Sequence, residues 1–494
     1  MQQRDILTRW ILVFVLCFGS SPRAALALQH LGLSLSDCTL GTEKYSARCG
    51  TFTVYEDRVS SSGRTIALAL IVLPATRPTH KAIFWNPGGP GASAVASAPF
   101  IAAGVFAKEL TDLRDQYDIV LVDNRGVGGS GSQQCETSPP EHPEYYFLQL
   151  WPDVLLKACR DRLAKSANLS LYTSNLAVDD LEDIRAALGY QKVVLNGGSY
   201  GTFLYLVYMR RHPEHVESAV LDGVAPPGLL IVPLEDAAGA QQAMNQLFIA
   251  CAKDAECARQ FPHLPEHFEN LVKRFDAGPI SVPVKNHITN VTQSVLLSKE
   301  VFADRLRQTL YSPAAAAYVP YAIERSYVLD YAPLAEMIDT TTRRFASVVD
   351  VGANLSTTCA EDIPFITERE VRRTSADSFE GDLRVRAQQR ACRIWKVEPV
   401  TAAFNNPVRT NIPILMVSGS DDPASPPKYA ELALPFLPNA RRILVKEASH
   451  VTELPCTDKL KVEFVLAGSA RGLDLSSCSG SFVRPSFATS MNGF

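Results

Sequence analysis

A mostly parallel, doubly wound α/β sheet interrupted by a large helical cap is the fold this sequence predicts, and three observations predict it. Short, near-continuous apolar runs alternate with helical patterns from Arg64 to Ala225, as suits parallel strands covered on both faces. The strand signal then disappears from roughly Leu229 to Asn406, where helical patterns dominate. Strands return near the C-terminus, so one sheet is broken off and resumed. At 494 residues the chain exceeds one ordinary core and has room for such an insertion.

Residues 1–27 read as a secretory leader. Basic Arg4 and Arg9 precede an apolar run from Trp10 to Phe18, and Ala25-Leu26-Ala27 offers a small-x-small cleavage site after Ala27. The run is far short of the roughly 20 residues a membrane span requires, and Cys17 lacks the small preceding residue of a lipid-modified cysteine. A secreted or periplasmic protein without a stable membrane anchor is expected.

Removing the leader takes Cys17 with it and leaves ten of the eleven cysteines. They fall as local couples, and the oxidising compartment implied by the leader favours disulfides. The pairs expected are Cys38 with Cys49, Cys135 with Cys159, Cys251 with Cys257, Cys359 with Cys392, and Cys456 with Cys478. No CxxC pair invites a metal, and none is expected. Asn168, Asn290 and Asn354 stand in Asn-x-Ser/Thr sequons, which matter only in a glycosylating host.

Residues 28–228 form the first part of the core. Its strands are expected at Thr65–Leu73, Lys81–Trp85, Tyr117–Asp123, Lys192–Asn196 and Ser218–Asp222. Between the third and fourth, "NLAVDDLEDIRAALG" places Leu176, Leu181, Ile184 and Leu188 at helical spacing, with Gly189 as its stop. Residues 229–406 are the mostly helical cap, with "QQAMNQLFIACAKDAECARQF" its clearest helical segment. Residues 407–494 return to the core with strands at Ile412–Ser420 and Arg441–Ser449.

Chemistry concentrates at strand ends. Gly197-Gly198-Ser199-Tyr200-Gly201 is a G-x-S-x-G between a strand and a helix, the context of a nucleophile elbow. The glycines let strand and helix approach closely, and the strained serine lifts its hydroxyl from the sheet. Such a hydroxyl needs a base and an orienting carboxylate, which follow in chain order on this plan. Beyond Ile412 the single histidine is His450. The acid is Asp421 or Asp422 in "SGSDDPASPP"; Asp422 is preferred because Pro423 stiffens its turn, with Asp222 as an outsider. Oxyanion donors are expected from the amides of Tyr200 and Gly89, the latter in the glycine-rich "WNPGGPGAS".

Gly126-x-Gly128-x-x-Gly131 formally matches a dinucleotide fingerprint, but "SQQCETSPPEHPE" follows where a helix must open. It reads as a tight loop bordering the active site, and no cofactor is expected. A net charge of −4 gives no footprint for nucleic acid.

Taken together, "NPGGPGAS", "YDIVLVDNRGVGGSG", "DDLEDIRAALGY" before "NGGSYGT", "CAEDIP", "GSDDPASPP", "EASHV" and a tail with paired cysteines ending "RPSF" give the chain its resemblance to a known family. It resembles the secreted tripeptidyl and prolyl aminopeptidases, serine peptidases of the α/β-hydrolase fold. The resemblance implies Ser199 as nucleophile, Asp422 as orienting acid, His450 as base, and oxyanion amides at Gly89 and Tyr200. It departs at Asn86, where simpler prolyl aminopeptidases have histidine, and in lacking the glycine that often precedes the histidine. An aminopeptidase must also bind an α-ammonium, and Glu361 and Asp362, on a loop fixed by Cys359, are the acids expected to do so. The substrate is then a peptide, or, with the same triad, a small ester; a catalytically inert binding module is disfavoured by the intact Ser, Asp and His.

Overall fold

The computed structural model describes residues 32–228, 234–451 and 453–494; the expected leader through Ala27 lies outside them. Nine strands form one sheet in the order β1-β2-β3-β5-β4-β6-β7-β10-β11. They are β1 (Leu33–Leu40), β2 (Tyr45–Tyr55), β3 (Thr65–Leu73), β4 (Ala82–Asn86), β5 (Asp118–Val122), β6 (Val193–Gly198), β7 (Val216–Asp222), β10 (Ile414–Gly419) and β11 (Ala440–Val445). Pairing is antiparallel from β1 through β3 to β5 and parallel from there to β11.

The inner parallel strands are buried, β4, β6 and β10 without an exposed residue, while β11 at the sheet edge exposes Arg441. Alternate side chains of β6 enter opposite cores: Val193 and Leu195 pack with Leu204, Tyr208 and Ile184, whereas Val194 packs with Ile83, Leu121 and Phe464. This is why the runs look continuously apolar, since each residue faces a helical layer. At roughly 1.5–3 kcal/mol for each large side chain withdrawn from water, these layers hold the sheet. The helix Ser174–Leu188 ends at Gly189 with φ 82°, as its sequence indicated. Its deepest residues are Ala177, Val178, Leu181 and Ile184, while Leu176 and Leu188 are only half-buried.

The cap lies between β7 and β10. Gly228 packs so closely on the Asn405 backbone that an added Cβ would come within 2.2 Å of its carbonyl oxygen, so chain entry and exit run side by side. The expected boundary at Leu229 falls in residues outside the described set. The clearest helical segment of the cap is helical, divided into Asp236–Lys253 and Ala255–Gln260, because the Asp254 carboxylate accepts the Cys257 amide and starts a new helix. The cap also contains strands, contrary to expectation. β8 (Ile280–Lys285) and β9 (Thr292–Leu297) form an antiparallel hairpin. Like β1 and β2, these strands show alternating exposure rather than a continuous apolar run, and sequence pattern alone passes over them.

All five expected disulfides are present. Cys359–Cys392 ties the helix Val351–Glu361 to the helix Leu383–Trp395 across a separation of 33 residues. By loop closure, Cys359→Ser with Cys392→Ser is expected to cost roughly 3–4 kcal/mol, read as a lower urea midpoint for the cap transition. No helix among the described residues is long and apolar enough to cross a membrane.

Candidate active site

Ser199 follows directly on β6 and precedes the helix Tyr200–Arg211, at φ 54° and ψ −127°. A non-glycine residue held there stores roughly 1–3 kcal/mol of strain. The surroundings enforce it: the Ser199 amide donates to the Asp222 carbonyl at 2.9 Å, and its carbonyl accepts from Thr202 Oγ1 at 2.7 Å. A Cβ on Gly197 would lie 2.7 Å from the Gly201 carbonyl, and one on Gly201 2.5 Å from the Asn86 carbonyl. Gly197 is therefore required for β6 and the helix to meet, and Gly201 for the helix to pass the end of β4.

Asp422 is the carboxylate beside His450. Nδ1 of the imidazole lies 3.0 Å from Oδ1 and 2.9 Å from Oδ2 of Asp422. The amides of Ala424 and Ser425 donate to Oδ1, and the Ser425 hydroxyl to Oδ2. Burial pushes the Asp422 carboxyl up, but the charge and hydrogen bond of His450, with those from Ser425, outweigh it and hold it below the ordinary value. Conversely, burial depresses His450, while the Asp422 charge and hydrogen bond lift it above the ordinary imidazole value. An ionised Asp422 only accepts, so Nδ1 carries the proton and Nε2 is left as the basic nitrogen. Asp421 turns the other way and pairs with Arg484 at 2.7 Å, and Asp222 pairs with Lys461 at 3.0 Å.

The glycine-rich loop after β4 lies against the elbow. A Cβ on Gly88, whose φ is 107°, would come within 2.9 Å of Ser199 Cβ and 3.0 Å of the Tyr200 nitrogen. Gly88 gives its amide to Asn86 Oδ1 at 3.0 Å, which gives Asn86, the departure from histidine, a structural role. Gly89 lines the cavity together with Ser199, Tyr200 and His450. Asn354 of the cap donates to the Pro90 carbonyl at 3.1 Å and is buried, so this sequon is a clamp on the loop rather than a free glycan acceptor. The Gly126–Gly131 loop is tight, as expected, but is not part of the cavity lining; Gly128 instead donates its amide to Asp350 of the cap.

The cavity, of about 110 Å³, brings Glu361 and Asp362 together with Ser199 and His450. The acids are not on a loop. Glu361 closes the helix Val351–Glu361 and Asp362 is its C-cap, the disulfide holding the preceding turn. Glu361 is buried and accepts both the Ser174 amide and the Ser174 hydroxyl at 2.6 Å. Burial outweighs those bonds and pushes its carboxyl up to about 7. Burial, and next to it the Glu361 charge, push Asp362 well above the usual carboxylate range. The Asp362 carboxylate forms no hydrogen bond or ion pair among the described residues.

Sequence reasoning missed the other residues of the site. Ser174 joins Glu361 to the Tyr200 hydroxyl, 2.7 Å away. Asp236, Arg307 and Arg384 also face the cavity, but each cation is already matched: Arg307 lies 2.9 Å and Arg384 3.2 Å from Asp304. One signal was available, the pair Asp304 and Arg307 three apart on an otherwise buried helix. Glu361 and Asp362 are the acids of the cavity without a basic partner within 4.0 Å among the described residues.

Family models for the alpha/beta hydrolase fold and for TAP-like proteins match residues 81–279 and 378–477 respectively. The chain is 27% identical over 431 residues to serine protease Hip1 of Mycobacterium tuberculosis, covering 77% of each. It is 35% identical over 242 residues to carboxylesterase B of the same bacterium, 44% of each chain. Tripeptidyl aminopeptidase of Streptomyces coelicolor is 30% identical over 222 residues, 41% of this chain and 40% of that one.

Proposed function

The chain belongs to the α/β-hydrolase superfamily of serine hydrolases, and on that premise we propose that it is a secreted aminopeptidase-type exopeptidase. The observation that carries this reading is the unpaired Glu361 and Asp362 in the cavity of Ser199 and His450. Buried carboxylates without a cation are costly unless a ligand supplies one. A peptide α-ammonium supplies one, and a small ester does not. The short cavity, against the several hundred Å³ of many ligand sites, suits a short N-terminal piece.

In this reading His450 Nε2 takes the Ser199 proton as the hydroxyl attacks the scissile carbonyl, and Asp422 stabilises the imidazolium. The Gly89 and Tyr200 amides receive the oxyanion. His450 then protonates the departing amine, leaving an acyl-enzyme, and activates the water that cleaves it. The Tyr200 hydroxyl, through Ser174, keeps Glu361 in register with the elbow.

The test is a panel of free and N-acetylated aminoacyl and tripeptidyl anilides beside short esters. A marked preference for free N-termini is expected. Equal turnover of acetylated substrates, or of esters alone, would return the carboxylesterase reading that the likeness to carboxylesterase B favours.

The pH dependence follows from the same groups. His450 must be neutral to act, and its raised value places the rising limb of kcat/KM above the ordinary imidazole range. Glu361, at about 7, ionises over the same interval. The falling limb comes from the substrate amine, which loses its proton near 7.7–8.0. A bell is therefore expected for free peptides, and a rising limb alone for acetylated ones, measured as kcat/KM between pH 5 and 9.

A further inference from the structure

His450 stands between two spaces of unequal size. One is the cavity of Glu361; the other is a groove of about 1150 Å³ that also has Gln308, Tyr311 and Phe345 in its wall. The groove runs between the cap helices Pro313–Ala316 and Ala332–Val348 on one side and the C-terminal tail on the other. The tail is fastened as an outer wall. Arg484 pairs with Asp421 at 2.7 Å, the Ala488 amide donates to the Ala317 carbonyl at 3.0 Å, and Tyr318 donates to the Asn492 carbonyl at 3.1 Å.

Building on the exopeptidase reading, we propose that this groove is the leaving-side channel, holding the polypeptide C-terminal to the scissile bond in extended form. Three features favour such an occupant. First, the groove is continuous with the site at His450, the residue that must hand a proton to the departing amine, so a chain leaving there enters it directly. Second, its volume exceeds that of the cavity by about tenfold, an asymmetry that suits a short piece on the acyl side and a long one on the other. Third, the lining combines polar side chains such as Thr340 and Asn492 with the rings of Phe345 and Phe487. Charged side chains in the lining are few, Arg344 and Glu453 besides His450, so the lining suits a peptide main chain of varied sequence.

The experiment uses peptides with one fixed free N-terminal sequence and leaving sides of one to six residues, alongside the matching anilide. For the wild type, kcat/KM is expected to rise about tenfold with leaving-side length before it levels off, since remote contacts are used at the reacting bond. Ala315→Trp and Val348→Trp, which narrow the groove from separate helices, are expected to flatten that rise, read as the ratio of long-peptide to anilide kcat/KM. A length-independent kcat/KM overturns the channel, as does an unchanged ratio in both well-folded variants. So does activation by long acyl esters in place of long peptides. Loss of the exopeptidase reading itself would appear separately, as failure to turn over the free-N-terminus anilide.

Discussion

Ser199→Ala is expected to lower kcat on the best anilide by about 10⁶-fold, and Asp422→Asn by about 10⁴-fold, with the fold intact by circular dichroism. The two losses have different causes. Alanine removes the attacking oxygen. Asparagine keeps the shape of Asp422 and can still accept the Ala424 and Ser425 amides that now reach Oδ1. It cannot, however, offer a negative charge to the imidazolium, and its amide nitrogen forces His450 toward the tautomer with the proton on Nε2. Asp421→Asn separates this from a general effect of the turn. Asp421 carries an ion pair to Arg484 and lies beside Ser420 rather than His450, so its variant should retain kcat within about threefold while loosening the tail. Equal losses at Asp421 and Asp422 would falsify the assignment of the acid. The measurement is steady-state kinetics on all three variants, with active-site titration to exclude contaminating wild type.

The legible parts of this site are those in which chemistry is written locally. A strained serine needs small neighbours within two residues, and Gly197 and Gly201 supply them. The acid needs a stiff turn after a strand, and Asp422 before Pro423 is one. The disulfides were legible for the same reason, since each closes a short stretch of chain. What stayed hidden depends on partners far apart in sequence. Ser174 bonds a carboxylate 187 positions away, and the Arg384 side chain is neutralised by Asp304 from another helix of the cap. No local periodicity records such a pairing. The half-exposed strands β1, β2, β8 and β9 escaped for a different reason: with one side in water they lack the apolar run that marks the buried strands. Glu361 and Asp362 fall between these cases. Their position near a disulfide was visible, but not the helix that carries them.

Glu361→Gln is expected to lower kcat/KM for free-N-terminus peptides by about 10²-fold, with far less effect on acetylated ones. The same change should stabilise the protein at alkaline pH. The folded carboxyl is raised to about 7 against an ordinary 4.5, so the native state holds its proton more tightly than the unfolded chain does. Stability is then lost as pH rises from about 4.5 through 7 and the buried group ionises, on the order of 3–4 kcal/mol once complete. Glutamine removes that loss. It keeps an oxygen for the Ser174 amide, and the Ser174 hydroxyl can turn to accept from the new NH₂ group. Melting curves of the two proteins should therefore nearly coincide at pH 4.5 and diverge above pH 7, the variant melting higher. A ligand ammonium should narrow the gap by stabilising the ionised wild type. A purely structural Glu361, matched by Ser174 and serving no ligand, gives the opposite pattern: a variant that melts lower at every pH and loses activity on free and acetylated substrates alike. The two outcomes differ in sign, so one titration of Tm against pH, taken with and without a free-N-terminus dipeptide, decides whether the acid at the end of this helix is kept for stability or for a substrate's charge.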